Sequence, residues 1–347
     1  MAGTRQHIVP RFLLKGFASR MVGDEIYTWV CRSDGSVFEA NITKIAVQRH
    51  YYGREGEQNA DVEISEIENK YSPFIDRLRE MDTGEITDVP IAEIIAHLCV
   101  RTKHLRESFR DSVEYLVDAI SKYVTDSDNV KTLILNNPKL IEDEIIKELI
   151  RRGVSEENRH IFLGIIRGLV PSFLEYNKEG IKAISSLFID AIRRMIPSAL
   201  KSGHIKVLHT NPVPEPRAED YRNLRWHVVT VDRTIILGDA IVLFEIDGER
   251  RFKTLNDHDD KISNVFLPIS YSRVVVGTSD KSLEGVYFNI NEAIARCSRE
   301  YFVCSDPTAE VVSLQSVIGA DSSIISKTEM DQIITEMFQF DKTTRDG

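Results

Sequence analysis

From residue 62 to about residue 202 the sequence keeps a helical rhythm almost without interruption, while the stretches on either side read as strand. A chain that changes period twice has few ways to bury all its apolar faces. The fold class this predicts is α+β, with a helical block inserted between an N-terminal β-hairpin segment and a C-terminal, mainly antiparallel sheet. The two β-rich segments then have the opportunity to share a sheet. "IYTWV", a turn at "SDG" and "VFEANI" spell the hairpin. Beyond residue 204, "HIKVLHT", "WHVVTVD", "TIILGD", "IVLFEID", "NVFLPIS" and "RVVVGT" are short β-branched runs bounded by Gly, Asp and Pro. A helix, "INEAIARCSREY", and a strand, "FVCS", follow. In "SKTEMDQIITEMF" the spacing of Ser326 and Glu329 is that of a capping box. No linker is long or polar enough to cut the chain. Residues 1–347 therefore read as one integrated domain: hairpin segment 1–60, helical block 61–203, β-rich segment 204–306 and helical tail 307–347.

Two helices carry a charge where their own periodicity asks for an apolar side chain. In "VEISEIENKYSPFIDRLREM", Glu68 shares a face with Ile64, Tyr71 and Ile75. In "IAEIIAHLCVRTKHLRESF", which follows Pro90, Arg101 lies among Ile94, Leu98 and Leu105, flanked by His97 and His104. A buried charge without a partner is costly, so Glu68 and Arg101 are expected to face one another or to share a ligand. A structural ion pair that locks two helices together is the plainer alternative.

The opening "QHIVPRFLLKGFA" poses the same question. Pro10 suits the start of a short helix that Gly16 ends or loosens, and Phe12, Leu13, Leu14 and Phe17 tie that helix into the core. His7 and Arg11 then stand beside buried structure, either as a site or as a backbone-bonding His and a surface Arg.

Charge bounds the partners. With 44 Lys and Arg against 54 Asp and Glu, the net charge of −10 argues against a generally basic protein that coats nucleic acid. Residues 1–54 nevertheless hold eight basic against four acidic side chains, and residues 55–82 hold nine acidic against three basic. A basic face remains available. Cys31, Cys99, Cys297 and Cys304 form no CxxC pair and follow no secretory signal, which suits reduced thiols in the cytoplasm. No apolar run is long enough to span a membrane, and no membrane partner is expected.

These stretches together resemble an uncharacterised, mainly bacterial family known as domain of unknown function 4238. Its members open with a "HYVPRFYLRNFA"-like segment, matched here by "HIVPRFLLKGFA". An "I..IA.QR.FY"-like stretch is matched by "ITKIAVQRHYYG". The resemblance carries over Glu68 in "VEISEIENKYSPFI", and Arg101 with Thr102 in "HLCVRTKHLRE". Asp239 comes from "IILGDA", where Gly-Asp-Ala-Ile stands in place of the family's Ser-Asp-Asn-Pro. "FLPIS" and "FNINEAIARCSREYFVCS" complete the match. The resemblance implies candidate residues but no reaction.

A His, two Arg and one or two carboxylates can serve a metal-free phosphodiester-cleaving site, where His or Glu moves protons and Arg steadies phosphate charge. On this reading His7 is general acid/base, Arg11 and Arg101 clamp the anion, Glu68 orients or acts as second base, and Asp239 is an accessory. Tyr27, Trp29, Tyr51 and Tyr52 would stack bases. The expected function is then a metal-independent nuclease acting on RNA or DNA, a bacterial effector in defence against phage. The alternative is a non-catalytic sensor or interaction module that binds a nucleotide or another anionic small ligand. No zinc spacing, HExxH, GxSxG or GxxxxGK motif occurs, so neither a metal nor a cofactor is expected.

Overall fold

The turn chemistry of "SDG" produces the hairpin as spelled. Strands Glu25–Arg32 and Val37–Asn41 pair antiparallel from Tyr27↔Asn41 to Cys31↔Val37. The Asp34 side chain accepts the Ser36 N–H at 3.0 Å, and Gly35 takes the left-handed conformation (φ 84°) that the reversal requires. The structure is a computed structural model that describes residues 5–339 apart from 55, 57, 249, 281, 282, 284, 285, 287 and 288. Phe288, which opens the last family-like stretch, lies outside the described residues.

The chain divides into two compact units, Met1–Phe109 with Leu200–Ile324, and Arg110–Ala199 with Ile325–Gly347. In the first unit the hairpin does share a sheet with the C-terminal segment. Strand Tyr301–Cys304 pairs antiparallel with Glu25–Arg32 on one side and with Leu237–Gly238 on the other. A second, six-stranded antiparallel sheet is built around Ile262–Ser270, Arg273–Thr278 and Arg225–Thr230. Its central strands are buried on both faces, which is why they read as unbroken apolar runs. Strand Arg5–His7 pairs with Val47–Arg49, from Arg5↔Arg49 to His7↔Val47.

The opening motif docks on this second sheet. Arg11–Leu14 makes a single helical turn that continues as 3₁₀ helix Lys15–Phe17. The Gly16 carbonyl accepts the Tyr271 N–H at 3.0 Å, and any Cβ at Gly16 would collide with the Ile269 carbonyl. Two stretches picked out separately, "VPRFLLKGFA" and "FLPIS", are thus halves of one contact that needs glycine.

Two expectations are corrected. "HIKVLHT" is not a strand: it ends the helix Lys178–Thr210, with Ile205 and Leu208 buried three residues apart as a helix requires. Helix Glu215–Arg222 follows, so helical structure persists to residue 222. The stretch 91–109 is not one helix either. Helix Ile91–Val100 stops, and Lys103–Val124 starts after a break at Arg101 and Thr102. Thr102 Oγ1 accepts the Leu105 N–H at 3.1 Å, the bond of an N-cap, which makes the restart favourable.

The second unit is helical among its described residues and includes Ser127–Asn136, Lys139–Arg151, Glu156–Tyr176 and Lys327–Gln339. The last of these opens with the expected reciprocal box. Ser326 N–H donates to Glu329 Oε2 at 2.5 Å, and Glu329 N–H donates to Ser326 Oγ at 3.1 Å. No helix of the described residues is long and apolar enough to cross a membrane.

Candidate functional site

Arg101 is the hub of the predicted constellation, and it has no solvent exposure. The break between two helices places it where its guanidinium reaches back to the helix Asp61–Glu80. Nη1 donates to Glu68 Oε1, Nη2 donates to the His7 carbonyl at 2.7 Å, and Nε and Nη2 reach the Tyr52 hydroxyl at 3.2 and 3.1 Å. Burial works to lower its pKa, but Glu68 and Tyr52 outweigh burial and the net direction is upward. Every nitrogen of this guanidinium therefore has a partner inside the protein. A phosphate could reach it only by displacing Glu68, the His7 carbonyl or Tyr52.

His7 joins this cluster through its backbone. Its imidazole is held down at about 4, first by burial and then by the Arg11 charge, with Arg101 and Arg5 adding to the effect. Near neutral pH the ring is uncharged, and its Nε2 is buried with no hydrogen-bond partner among the described residues. Arg11 is exposed at the start of its helical turn. The structure thus brings His7, Glu68 and Arg101 together with Tyr52, and leaves Arg11 at the edge as a neighbouring charge. Tyr51 and Tyr52 are both buried, so the expectation that they stack bases is corrected. The Tyr51 hydroxyl donates to the Thr102 carbonyl at 3.1 Å, and its ring lies 3.8 Å from the Arg106 guanidinium carbon. His204 Nε2 lies 2.8 Å from the Val100 carbonyl, and Arg106 Nε donates to Nδ1 at 3.0 Å, which fixes the tautomer.

Asp239 lies elsewhere. Its carboxylate accepts the backbone N–H groups of Arg299 at 2.8 Å, Glu300 at 2.7 Å and Tyr301 at 3.3 Å. Burial raises its pKa to about 6 against the pull of those three donors. Two residues on, Ile241 has φ 69°, a left-handed conformation that is costly for a β-branched side chain. Asp239 also lines an open cleft of about 170 Å³, together with Ile8, Ala46, Val47 and Gln48 and with Arg299, Glu300 and Tyr301. Ala46, too, is left-handed, with φ 52°. Lys103 and His104, the first residues of the helix Lys103–Val124, complete its lining.

In this cleft cations meet the positive end of a helix. Lys103, about a third exposed, pairs with Glu300 at 2.5 Å. The buried His104 ring is held at about 4 by burial and by Arg299, and its Nε2 lacks a partner among the described residues. Among the described residues no group of three or more His, Cys, Asp or Glu is placed to hold a metal ion.

The family model described as "Protein of unknown function (DUF4238)" matches residues 5–307 of the chain. The chain belongs to DUF4238. No curated protein and no solved structure matches it. In DUF4238 terms, the motif residues carried over from the resemblance fall into two groups. Glu68, Arg101 and Thr102, with the main chain of His7, hold the helix break in place. Asp239 holds the loop that forms one wall of the cleft. The cleft residues Lys103, Arg299 and Glu300 were not singled out from the sequence. Thr102 was the usable signal, since a threonine three residues ahead of Leu105 is an N-cap pattern that marks a helix start.

Proposed function

We propose that this protein binds a small anionic ligand, of the phosphate or nucleotide class, in the cleft at the start of the helix Lys103–Val124, and acts as a sensor or interaction module. One observation carries the reading: Arg101 is sealed with all its nitrogens engaged, whereas Lys103 faces an open cleft at a helix N-terminus. Backbone N–H groups there favour negative charge. The Lys103–Glu300 pair is partly exposed, so exchanging Glu300 for a ligand oxygen costs little. The four free, buried thiols suit a reducing compartment, and we place the protein in the cytoplasm.

Thermal denaturation with inorganic phosphate, pyrophosphate and mononucleotides tests this reading. A ligand at a hundred times its Kd should stabilise the protein by about 2.7 kcal/mol. Lys103→Gln should abolish the shift while keeping its own unliganded melting profile. No shift with any of these anions would sink the proposal. Phosphodiester cleavage, with a role against phage, remains the second reading because Asp239 at about 6 has the pKa of a usable general acid–base. RNA or DNA cleavage that survives EDTA and is lost in folded Asp239→Asn would replace the first reading with the second.

A further inference from the structure

The helix Glu156–Tyr176 of the second unit exposes an apolar face that nothing in its own unit covers. Ile161, Ile165, Leu169 and Phe173 recur every four residues as a ridge, and Phe162 and Tyr176 extend it. These six side chains are 45–91% exposed. At roughly 150–250 Å² for a large side chain they present on the order of 800 Å², the area each partner contributes to a standard interface. The sole charged residue between Ile161 and Phe173 is Arg167, which turns aside to pair with Glu142 at 2.5 Å.

Hollows run along both sides of the ridge. On one side lie Gly164, Gly168 and Ser172, all exposed, and a Cβ added at either glycine would meet nothing within 4 Å. Glycine weakens a helix relative to alanine, and no side chain of the unit uses the space these two leave open. On the other side an apolar groove of about 560 Å³ is lined by Ile141, Ile145, Ile166 and Val170.

We propose that this face is where a second copy of the chain docks, helix against helix about a two-fold axis. A ridge beside a hollow on one surface is self-complementary: across a two-fold, each ridge enters the other copy's hollow. Rows spaced by four residues are those that interdigitate when two helices pack closely, and the glycines permit a short interaxial distance. The ridge itself carries no charge, and the groove beside it is apolar except for Glu144, which fits a largely dry, symmetric interface better than a polar partner.

The test is sedimentation velocity of the full chain over a wide concentration range, beside Leu169→Glu and Gly168→Leu. Both positions are exposed, so neither change disturbs the unit's own packing, and circular dichroism should be unchanged. A concentration-dependent dimer in the wild type that both variants weaken at least tenfold supports the proposal. A wild-type monomer at every concentration overturns it, as does a dimer that both variants retain. Flotation with phosphatidylcholine–phosphatidylglycerol vesicles is run in parallel. A monomer that binds vesicles through the same residues would make this a lipid-facing surface instead.

Discussion

Replacing Glu68 with Gln separates a structural hub from a catalytic one. The wild-type pair joins a guanidinium with no exposure to a carboxylate whose side chain is 24% exposed. Removing one partner of a buried pair costs roughly 3–5 kcal/mol, because the other charge is left desolvated. Glu68→Gln keeps an amide oxygen in place of the carboxylate, and Arg101 keeps the Tyr52 hydroxyl and the His7 carbonyl. Water also reaches the Glu68 side. The expected loss is therefore smaller, about 2–3 kcal/mol. Arg101→Met strips the donor from Glu68, Tyr52 and the His7 carbonyl together, and should cost about 3–5 kcal/mol. The double variant Glu68→Gln with Arg101→Met should lose less than the sum of those two single changes by at least about 2 kcal/mol, since no charge is then stranded.

Tryptophan fluorescence reads this directly. The chain has two Trp, Trp29 and Trp226, and both lie in the unit that contains the pair. Guanidinium unfolding should show a lower midpoint with unchanged m. A Glu68→Gln loss under about 0.5 kcal/mol, the level of an exposed pair, would refute the structural account, as would additive single changes. Either result would return Glu68 and Arg101 to the list of groups available to a substrate.

Other consequences are as definite. His7 at about 4, His97 at about 3 and His104 and His204 at about 4 are neutral in the fold but titrate near 6.5 once unfolded. Between those values the unfolded chain binds more protons, so stability should fall as pH drops from about 6.5 towards 4, which melting curves across that range will check. Asp239 works in the opposite direction between 3.8 and about 6, but one carboxyl is outweighed by four imidazoles. Asp239→Asn sets an amide N–H₂ against backbone N–H donors and should cost about 1–3 kcal/mol, with hydrogen exchange accelerating at Arg299, Glu300 and Tyr301. Gly16→Ala drives a methyl into the Ile269 carbonyl and should cost about 3 kcal/mol, seen as a lower melting temperature or loss of soluble protein.

What the sequence made legible is what local chemistry determines. The hairpin turn, the capping box at Ser326 and the short helix after Pro10 each depend on a few neighbouring residues, and each forms as read. The meeting of Glu68 with Arg101 was legible for a different reason: a charge on an apolar face must find its opposite. Long-range competition hid the rest. "HIKVLHT" has strand-like composition, but burying Ile205 and Leu208 on one helical face outweighs a propensity of that kind. The break at Arg101 was masked by an apolar stripe that continues in register on both sides of it. Tyr51 and Tyr52 look like stacking aromatics until the carbonyls of Arg101 and Thr102, freed by that break, take their hydroxyls. The cleft could not be read at all, because its walls come from residues near 8, 47, 103, 239 and 300, which only the tertiary fold assembles.

One physical need accounts for most of the charged residues that drew attention. A helical turn as short as Arg11–Leu14 cannot satisfy the carbonyls around it, and those carbonyls are buried by the apolar residues that anchor the segment. Arginines from neighbouring helices supply the missing donors. Arg79 donates to the carbonyls of Phe12 and Leu13 and, at 2.7 Å, to that of Ile269, while Arg101 donates to that of His7. A guanidinium suits this role because it offers several N–H groups in a rigid fork and stays charged at any pH the protein meets. Glu68 and Asp76 then balance the charge that the carbonyls cannot. On this account the opening motif and its arginines are selected together as a unit of scaffold. Lys103 stands beside that scaffold and lines the open cleft with Arg299 and Glu300, and it is there that a ligand should be sought.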